Sequence, residues 1–186
     1  MRNFTLAVFT MLLFITMASA QIPTVGNVYF GYSYYNTSLG SINRQGLNGW
    51  TGSLEGKVFP MLGVVVDLSG NYGTQKFPSP AGTCAIGVVC SPVSVSTHFH
   101  EVLFGPRVSA PVGRLRPFGE VMFGVGHAST NGFGTDTSLA TAVGGGIDCR
   151  LLRLLAWRFQ GDYVHTSLFN NHQNNVRLTT GIVVRF

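Results

Sequence analysis

Charge is scarce in this sequence. Only 10% of its 186 residues are Asp, Glu, Lys or Arg, with 7 acids against 12 bases, whereas a typical soluble domain has about 25%. Because 45% of the residues are apolar, the composition excludes a disordered chain and disfavours an ordinary cytosolic globule. The length is that of one domain, and no internal period indicates a solenoid.

Long apolar runs are missing after residue 20, where no stretch reaches the roughly 18 apolar residues that a transmembrane helix needs. The first twenty residues differ, with an early base at Arg2, an apolar run over 4–17 and the small residues Ala-Ser-Ala at 18–20. This pattern predicts a secretory signal peptide, residues 1–20, ahead of one mature domain, residues 21–186. A membrane anchor is the alternative, which the short run and the lack of a following basic cluster disfavour.

Cysteine is also rare, and the pattern C-x-x-C does not occur, so neither a zinc site nor any other metal or cofactor is expected. Cys84 and Cys90 bracket the sequence Ala-Ile-Gly-Val-Val. In an exported protein this spacing predicts a disulfide that closes a loop. Cys149 is left over and is predicted to act as a small apolar residue. No basic patch with interleaved aromatics is present, so nucleic-acid binding is not predicted.

What the chain does have is alternation of apolar and polar residues. In the last such segment Val176, Leu178 and Ile182 share one face, while Arg177 and Arg185 share the other. A period of two is the signature of a β-strand. We predict eight strands at 27–36, 47–58, 62–73, 97–109, 115–128, 138–150, 155–165 and 175–186. Strands of this kind cross a bilayer in about 9–11 residues, so the predicted fold is an all-β, up-and-down, eight-stranded antiparallel transmembrane barrel.

Alternation does not by itself show which face points inward, because a lipocalin-like soluble barrel has the same period. The charged residues favour a membrane barrel, since they are nearly balanced in sign and concentrate on strand faces instead of loops. We therefore predict an ion-paired lumen network. Its predicted members are Glu55, Lys57, Asp67, Glu101, Arg107, Arg116, Glu120, Asp148, Arg150, Arg158, Asp162, Arg177 and Arg185.

The connections between segments alternate in predicted length. Short ones occur at 59–61, 110–114 and 151–154, and the longer ones are 37–46, 74–96, 129–137 and 166–174. Short turns on one side and long loops on the other are typical of outer-membrane barrels. A soluble β-sandwich remains the alternative.

The chain ends in Gly-Ile-Val-Val-Arg-Phe, with apolar Ile182 and Val184 alternating up to the terminal Phe186. With its eight strands, this ending resembles the small outer-membrane β-barrel superfamily, which includes OmpA-like and OmpX-like domains. The resemblance implies a place in the cell outer membrane among lipid and lipopolysaccharide. It also implies that these three residues form the signal that the barrel-assembly machinery recognises.

The predicted function is a structural or surface-interaction role. A filled lumen leaves the external loops as the contact surface, and we expect a monomer with no enzymatic activity. A narrow, passive, porin-like channel is the first alternative. The second is a lipid A deacylase resembling the PagL type, carried by His165 and Ser167 of a His-x-Ser motif. That motif lacks an obvious partner, because 168–175 contains no Asp or Glu to orient the histidine.

Overall fold

The computed structural model describes residues 25–37, 44–77, 93–130, 134–168 and 171–186. The predicted signal peptide and the predicted disulfide between Cys84 and Cys90 lie outside these residues. The described chain forms eight strands: β1 (Gly26–Thr37), β2 (Gln45–Lys57), β3 (Leu62–Phe77), β4 (Val93–Ser109), β5 (Leu115–Thr130), β6 (Gly134–Arg150), β7 (Leu155–Leu168) and β8 (Asn171–Arg185).

The eight strands close into one barrel in sequence order, and every neighbouring pair is antiparallel. Closure is made by β1, where Asn27 lies opposite both Glu55 of β2 and Arg185 of β8. At the seam Gly26 and Phe186 exchange backbone hydrogen bonds of 3.0 and 3.1 Å. The predicted fold class is therefore confirmed.

The outer surface of the barrel is apolar. Large side chains such as Phe30, Phe104, Phe159 and Ile182 are exposed, while their chain neighbours of opposite parity are buried. A soluble barrel of lipocalin type places its apolar face inward, so the structure rules out that alternative. Among the described residues, no helix is long and apolar enough to cross a membrane.

The two ends of the barrel differ. We call the end with the connections at 58–61, 110–114 and 151–154 the turn end, and the opposite end the loop end. The turn at 110–114 is closed by reciprocal backbone hydrogen bonds between Val112 and Leu115, 2.8 and 3.0 Å long. Gly113 has a φ of 62° there, a left-handed conformation that glycine adopts without strain.

The predicted lengths of two loops were wrong. β5 continues to Thr130 and β6 begins at Gly134, while β7 reaches Leu168 and β8 begins at Asn171. The connections expected at 129–137 and 166–174 are thus mostly strand. The reason is that apolar alternation marks only the part of a strand that faces lipid, whereas backbone pairing continues into the polar segment beyond it.

Candidate functional site in the barrel lumen

The lumen contains a charged zone on the turn side and an apolar layer nearer the loop end. Each side chain reaches the lumen because of strand parity, since alternate residues of a strand point inward. The charged zone contains three almost completely shielded arginines, Arg107, Arg158 and Arg177, which rank among the largest fully buried side chains described. Buried charges of this kind require close partners, because desolvation is costly.

Arg177 of β8 is surrounded by acids from three other strands. Its Nη1 lies 2.6 Å from Oδ1 of Asp67 and 3.7 Å from Oε2 of Glu101, and its Nε donates a 2.9 Å hydrogen bond to Asp162. The same guanidinium also donates to the Ser69 hydroxyl at 3.3 Å. One cation therefore links strands on opposite sides of the lumen and stands against three carboxylates.

A second group of ion pairs lies closer to the turn end. Nη1 of Arg107 is 3.0 Å from Oε2 of Glu55, and its Nε donates to the carboxylate of Glu120. Lys57 Nζ lies 2.6 Å from Oε1 of Glu55, and the Asn27 amide donates to Oε2 at 2.9 Å. Oε2 of this buried carboxylate thus accepts from a guanidinium and an amide, and Oε1 lies beside an ammonium, which stabilises the buried anion.

Arg158 forms the third group. Its Nε and Nη2 donate to the two oxygens of Asp148 at 2.7 and 3.1 Å, a bidentate pair. Its guanidinium also stacks on two aromatic rings, 4.6 Å from the centre of Phe118 and 4.9 Å from that of Tyr29. Arg107 packs 4.5 Å from the same Phe118 ring. Phe118 therefore lies against two cations and forms a cation–π contact with each.

Gln160 joins these groups into one network. Its amide nitrogen donates to Glu120 at 2.8 Å and to the oxygens of Asp162 at 3.0 and 3.1 Å. Glycines on the inward faces provide the space that this network fills. A Cβ at Gly63 would lie 2.8 Å from Oε1 of Glu55, and one at Gly144 would overlap the Asp162 carboxylate.

Arg150 does not join the network, although the sequence analysis placed it there. It is the last residue of β6, its side chain is exposed, and its Nη2 donates to the Gly113 carbonyl at 3.3 Å. Its strand parity is inward, but because Arg150 lies at the rim of the barrel, its side chain reaches solvent instead of the lumen. Arg185 is partly exposed and lies 3.5 Å from Asp148, and Arg116 donates to the Ser109 hydroxyl at 3.1 Å.

With Arg150 outside, the predicted members that remain in the lumen balance in charge. They comprise as many acids as bases: Glu55, Asp67, Glu101, Glu120, Asp148 and Asp162 against Lys57, Arg107, Arg116, Arg158, Arg177 and Arg185. A lumen without net charge has no built-in preference for anions or cations.

The apolar layer was missed in the sequence analysis. Tyr35, Leu47, Phe99 and Val164 are buried in one cluster, with the rings of Tyr35 and Phe99 4.9 Å apart. The Tyr35 hydroxyl donates to Glu101 at 3.3 Å, so the layer rests on the charged zone. Parity could have identified these residues, because they share the inward face with the charged residues of their own strands.

His98 and His100, near the loop end, point outward. Tyr72 packs edge-on against His98 and His100, with ring centres 5.4 and 5.5 Å apart. His98 and His100 share the outward strand face, as their spacing predicts. In the part of the chain that the structure describes, no group of three metal-ligating side chains is brought together.

His165 has a partner that the sequence analysis did not find. Its Nδ1 lies 2.7 Å from Oδ1 of Asn174, which faces it across β7 and β8. Ser167, two residues further along β7, has the same outward parity. The segment 168–175 contains no Asp or Glu, but a side-chain amide oxygen such as that of Asn174 can also accept from Nδ1.

Comparisons with known proteins match the fold. No protein-family model and no curated protein matches the sequence. Among solved structures, Neisserial surface protein A is similar over 87% of this chain and 97% of its own, with 13% identity and a TM-score of 0.66. Ail, the attachment invasion locus protein of Yersinia pestis, solved in complex with the heparin analogue sucrose octasulfate, is similar over 87% of this chain and 98% of its own, with 13% identity and a TM-score of 0.57.

The chain therefore has the fold of the small outer-membrane barrels, and the predicted resemblance is confirmed at that level. Together with the apolar outer surface, the fold supports a place in the outer membrane. At this level of identity the comparisons establish the fold and leave the role to be argued from the site.

Proposed function

We propose that this protein is a non-enzymatic outer-membrane scaffold with a closed lumen and external loops that make its surface contacts. The observation that carries this proposal is the filling of the lumen. Arg107, Arg158 and Arg177 are fully buried in ion pairs, and Tyr35 and Phe99 pack across the lumen above them. An eight-stranded barrel is just wide enough for its side chains to fill.

Export and partners are part of the same proposal. The signal peptide 1–20 directs the chain across the inner membrane, and the alternating Ile182, Val184 and Phe186 engage the barrel-assembly machinery. The folded barrel works as a monomer surrounded by lipid and lipopolysaccharide. The loop between β3 and β4 supplies its main contact surface, stapled by the disulfide between Cys84 and Cys90.

The first test asks whether the protein is a closed barrel. An outer-membrane fraction is run on a denaturing gel with and without boiling, and the folded barrel is expected to migrate faster unboiled. The purified protein is then inserted in a planar bilayer, where we expect no steady conductance. A stable, reproducible channel in the wild-type barrel would replace the scaffold by the narrow porin-like alternative.

A hydrolase that acts on membrane lipid is the second candidate, and the hydrogen bond between His165 and Asn174 favours it. An acceptor at Nδ1 fixes the imidazole tautomer in which Nε2 carries no proton, the form that acts as a base toward a serine such as Ser167. Deacylation of purified lipid A by the folded barrel, abolished in Ser167→Ala and retained in Ser129→Ala, would establish this activity. If none of the three proteins deacylates lipid A, this candidate is rejected.

A further inference from the structure

The outer surface of the barrel carries a groove that the scaffold role does not use. It crosses β1, β8 and β7, has a volume of about 470 Å³, and is lined by Tyr32, Tyr34, Phe159, Gly161, Leu178 and Thr180. This volume is within the range of small-molecule sites, about 300–1,000 Å³. The groove exists because Gly161, opposite Leu178 in the register, leaves a gap between larger neighbours.

Two of the hydroxyl groups that line the groove, those of Tyr32 and Thr180, are already paired within the protein. The Tyr32 hydroxyl donates to Asn48. The Thr180 hydroxyl donates to the Arg158 carbonyl at 3.1 Å and accepts from Nε1 of Trp157 at 2.9 Å. No charged residue lines the groove. These side chains therefore offer apolar contact and few free hydrogen-bonding groups, which suits a hydrocarbon and disfavours a polar ligand.

The position of the groove indicates where such a hydrocarbon comes from. Phe159, Leu178 and Tyr32 are about half exposed and belong to the apolar outer surface that faces lipid in a barrel of this fold. The groove lies on the outer surface, and its inner wall is formed at Gln160 and Thr179, whose side chains are buried on the lumen side. We propose that this groove is a binding site for one acyl chain of a membrane lipid.

The structure provides a substitution that fills the groove and leaves the backbone in place. A Cβ at Gly161 would contact only the Leu178 side chain, at an ordinary 3.4 Å. Gly161→Leu therefore occupies the space of the acyl chain. Gly119→Leu is the matched control, because Gly119 is also on the outward face, and a Cβ there would approach nothing closer than 3.9 Å. Gly119 lies on β5, two strands away from Gly161.

Trp157 reports occupancy, since its indole is bonded to Thr180 at the edge of the groove. The chain has two tryptophans, so Trp50→Phe leaves Trp157 as the single tryptophan. The folded barrel in detergent micelles is titrated with phosphatidylcholine brominated at the middle of its acyl chains, a contact quencher. Each variant is first checked for the mobility shift on boiling, so that only folded barrels are compared.

We expect quenching of Trp157 that saturates near one lipid per barrel. Gly161→Leu should weaken the apparent affinity about tenfold, as expected for the loss of roughly two buried methylenes, and Gly119→Leu should leave it unchanged. The proposal is wrong if both variants titrate like the parent or if quenching rises linearly with lipid. It is also wrong if the parent is a dimer that Gly161→Leu converts to monomers without any change in the lipid titration.

Discussion

Removal of Arg177, the central cation of the lumen, should lower the free energy of unfolding more than any other single change in the charged zone. Arg177→Met keeps most of the side-chain volume and leaves Asp67, Glu101 and Asp162 buried without their shared partner. Removal of one member of a buried ion pair costs about 3–5 kcal/mol. Because three acids depend on this one guanidinium, we expect the loss in the free energy of unfolding to reach at least that range.

The measurement is equilibrium unfolding in urea with the barrel in lipid vesicles, read from the midpoint and slope of the transition. Arg150→Met is the matched control, since Arg150 is exposed at the rim and bonds only a carbonyl oxygen. A change at such a surface position alters stability by about 0.5 kcal/mol or less. Arg177→Lys should lie between the two, because it keeps the charge but loses the fork that reaches several acids.

A double variant separates loss of the cation from loss of packing. Arg177→Met combined with Asp162→Asn should recover part of the stability, because one of the carboxylates left without a cation is then also neutralised. The reasoning fails if the free energies of unfolding of Arg177→Met and Arg150→Met differ by less than about 1 kcal/mol, which is what an exposed ion pair contributes. That result would mean that water, and not the guanidinium, solvates the three carboxylates.

Three further changes test other parts of the barrel. Phe118→Leu removes the ring between two guanidinium groups and should cost about 1–3 kcal/mol in the same urea assay, from two cation–π contacts. Gly144→Val would push a side chain into the Asp162 carboxylate, so we expect no boiling-dependent mobility shift; a normally folded barrel would contradict the argument from space. Deleting Phe186 should reduce assembly in cells and leave refolding in detergent nearly intact; equal losses in both would mean that the residue acts through stability alone.

Strand number, antiparallel order and the outward apolar face could all be predicted from the sequence. They depend on alternation, which is local and repeats in every segment, so a single parity assignment for each strand is sufficient. The outward direction of residues such as Val184 and Ile182 followed from the same rule, as did the inward direction of Arg177. The positions of the short turns could also be predicted from local sequence, because apolar alternation stops there in both neighbouring strands.

The partners within the lumen could not be predicted, because they depend on which strands face each other across the barrel. Arg177 and Asp67 are 110 residues apart, and no sequence rule joins β8 to β3. The prediction for Arg150 at the rim was wrong for a different reason. Strand parity gives its side chain the same inward direction as a buried residue, but parity does not show how far along the barrel axis the residue lies. The contact between His165 and Asn174 depends on the register of β7 with β8. Apolar alternation ends near these residues, so the sequence does not define that register.

A comparison of stability at low and high salt tests whether water and ions enter the ion-paired lumen. The ion pairs of Arg107 and Arg177 have side chains at most 1% exposed, so mobile ions in the solvent should not screen them. Raising the ionic strength from 0.1 to 1 M shortens the Debye length from about 10 to about 3 Å, which weakens exposed pairs but hardly affects buried ones. Unfolding midpoints in urea are measured at both ionic strengths for the wild-type barrel and for Arg177→Met, whose lumen has lost its central cation. The difference between the two midpoints should stay nearly constant. If the wild-type barrel lost as much stability in salt as exposed ion pairs do, ions and water would have to enter the lumen, and a conducting path would become the better account of its charges.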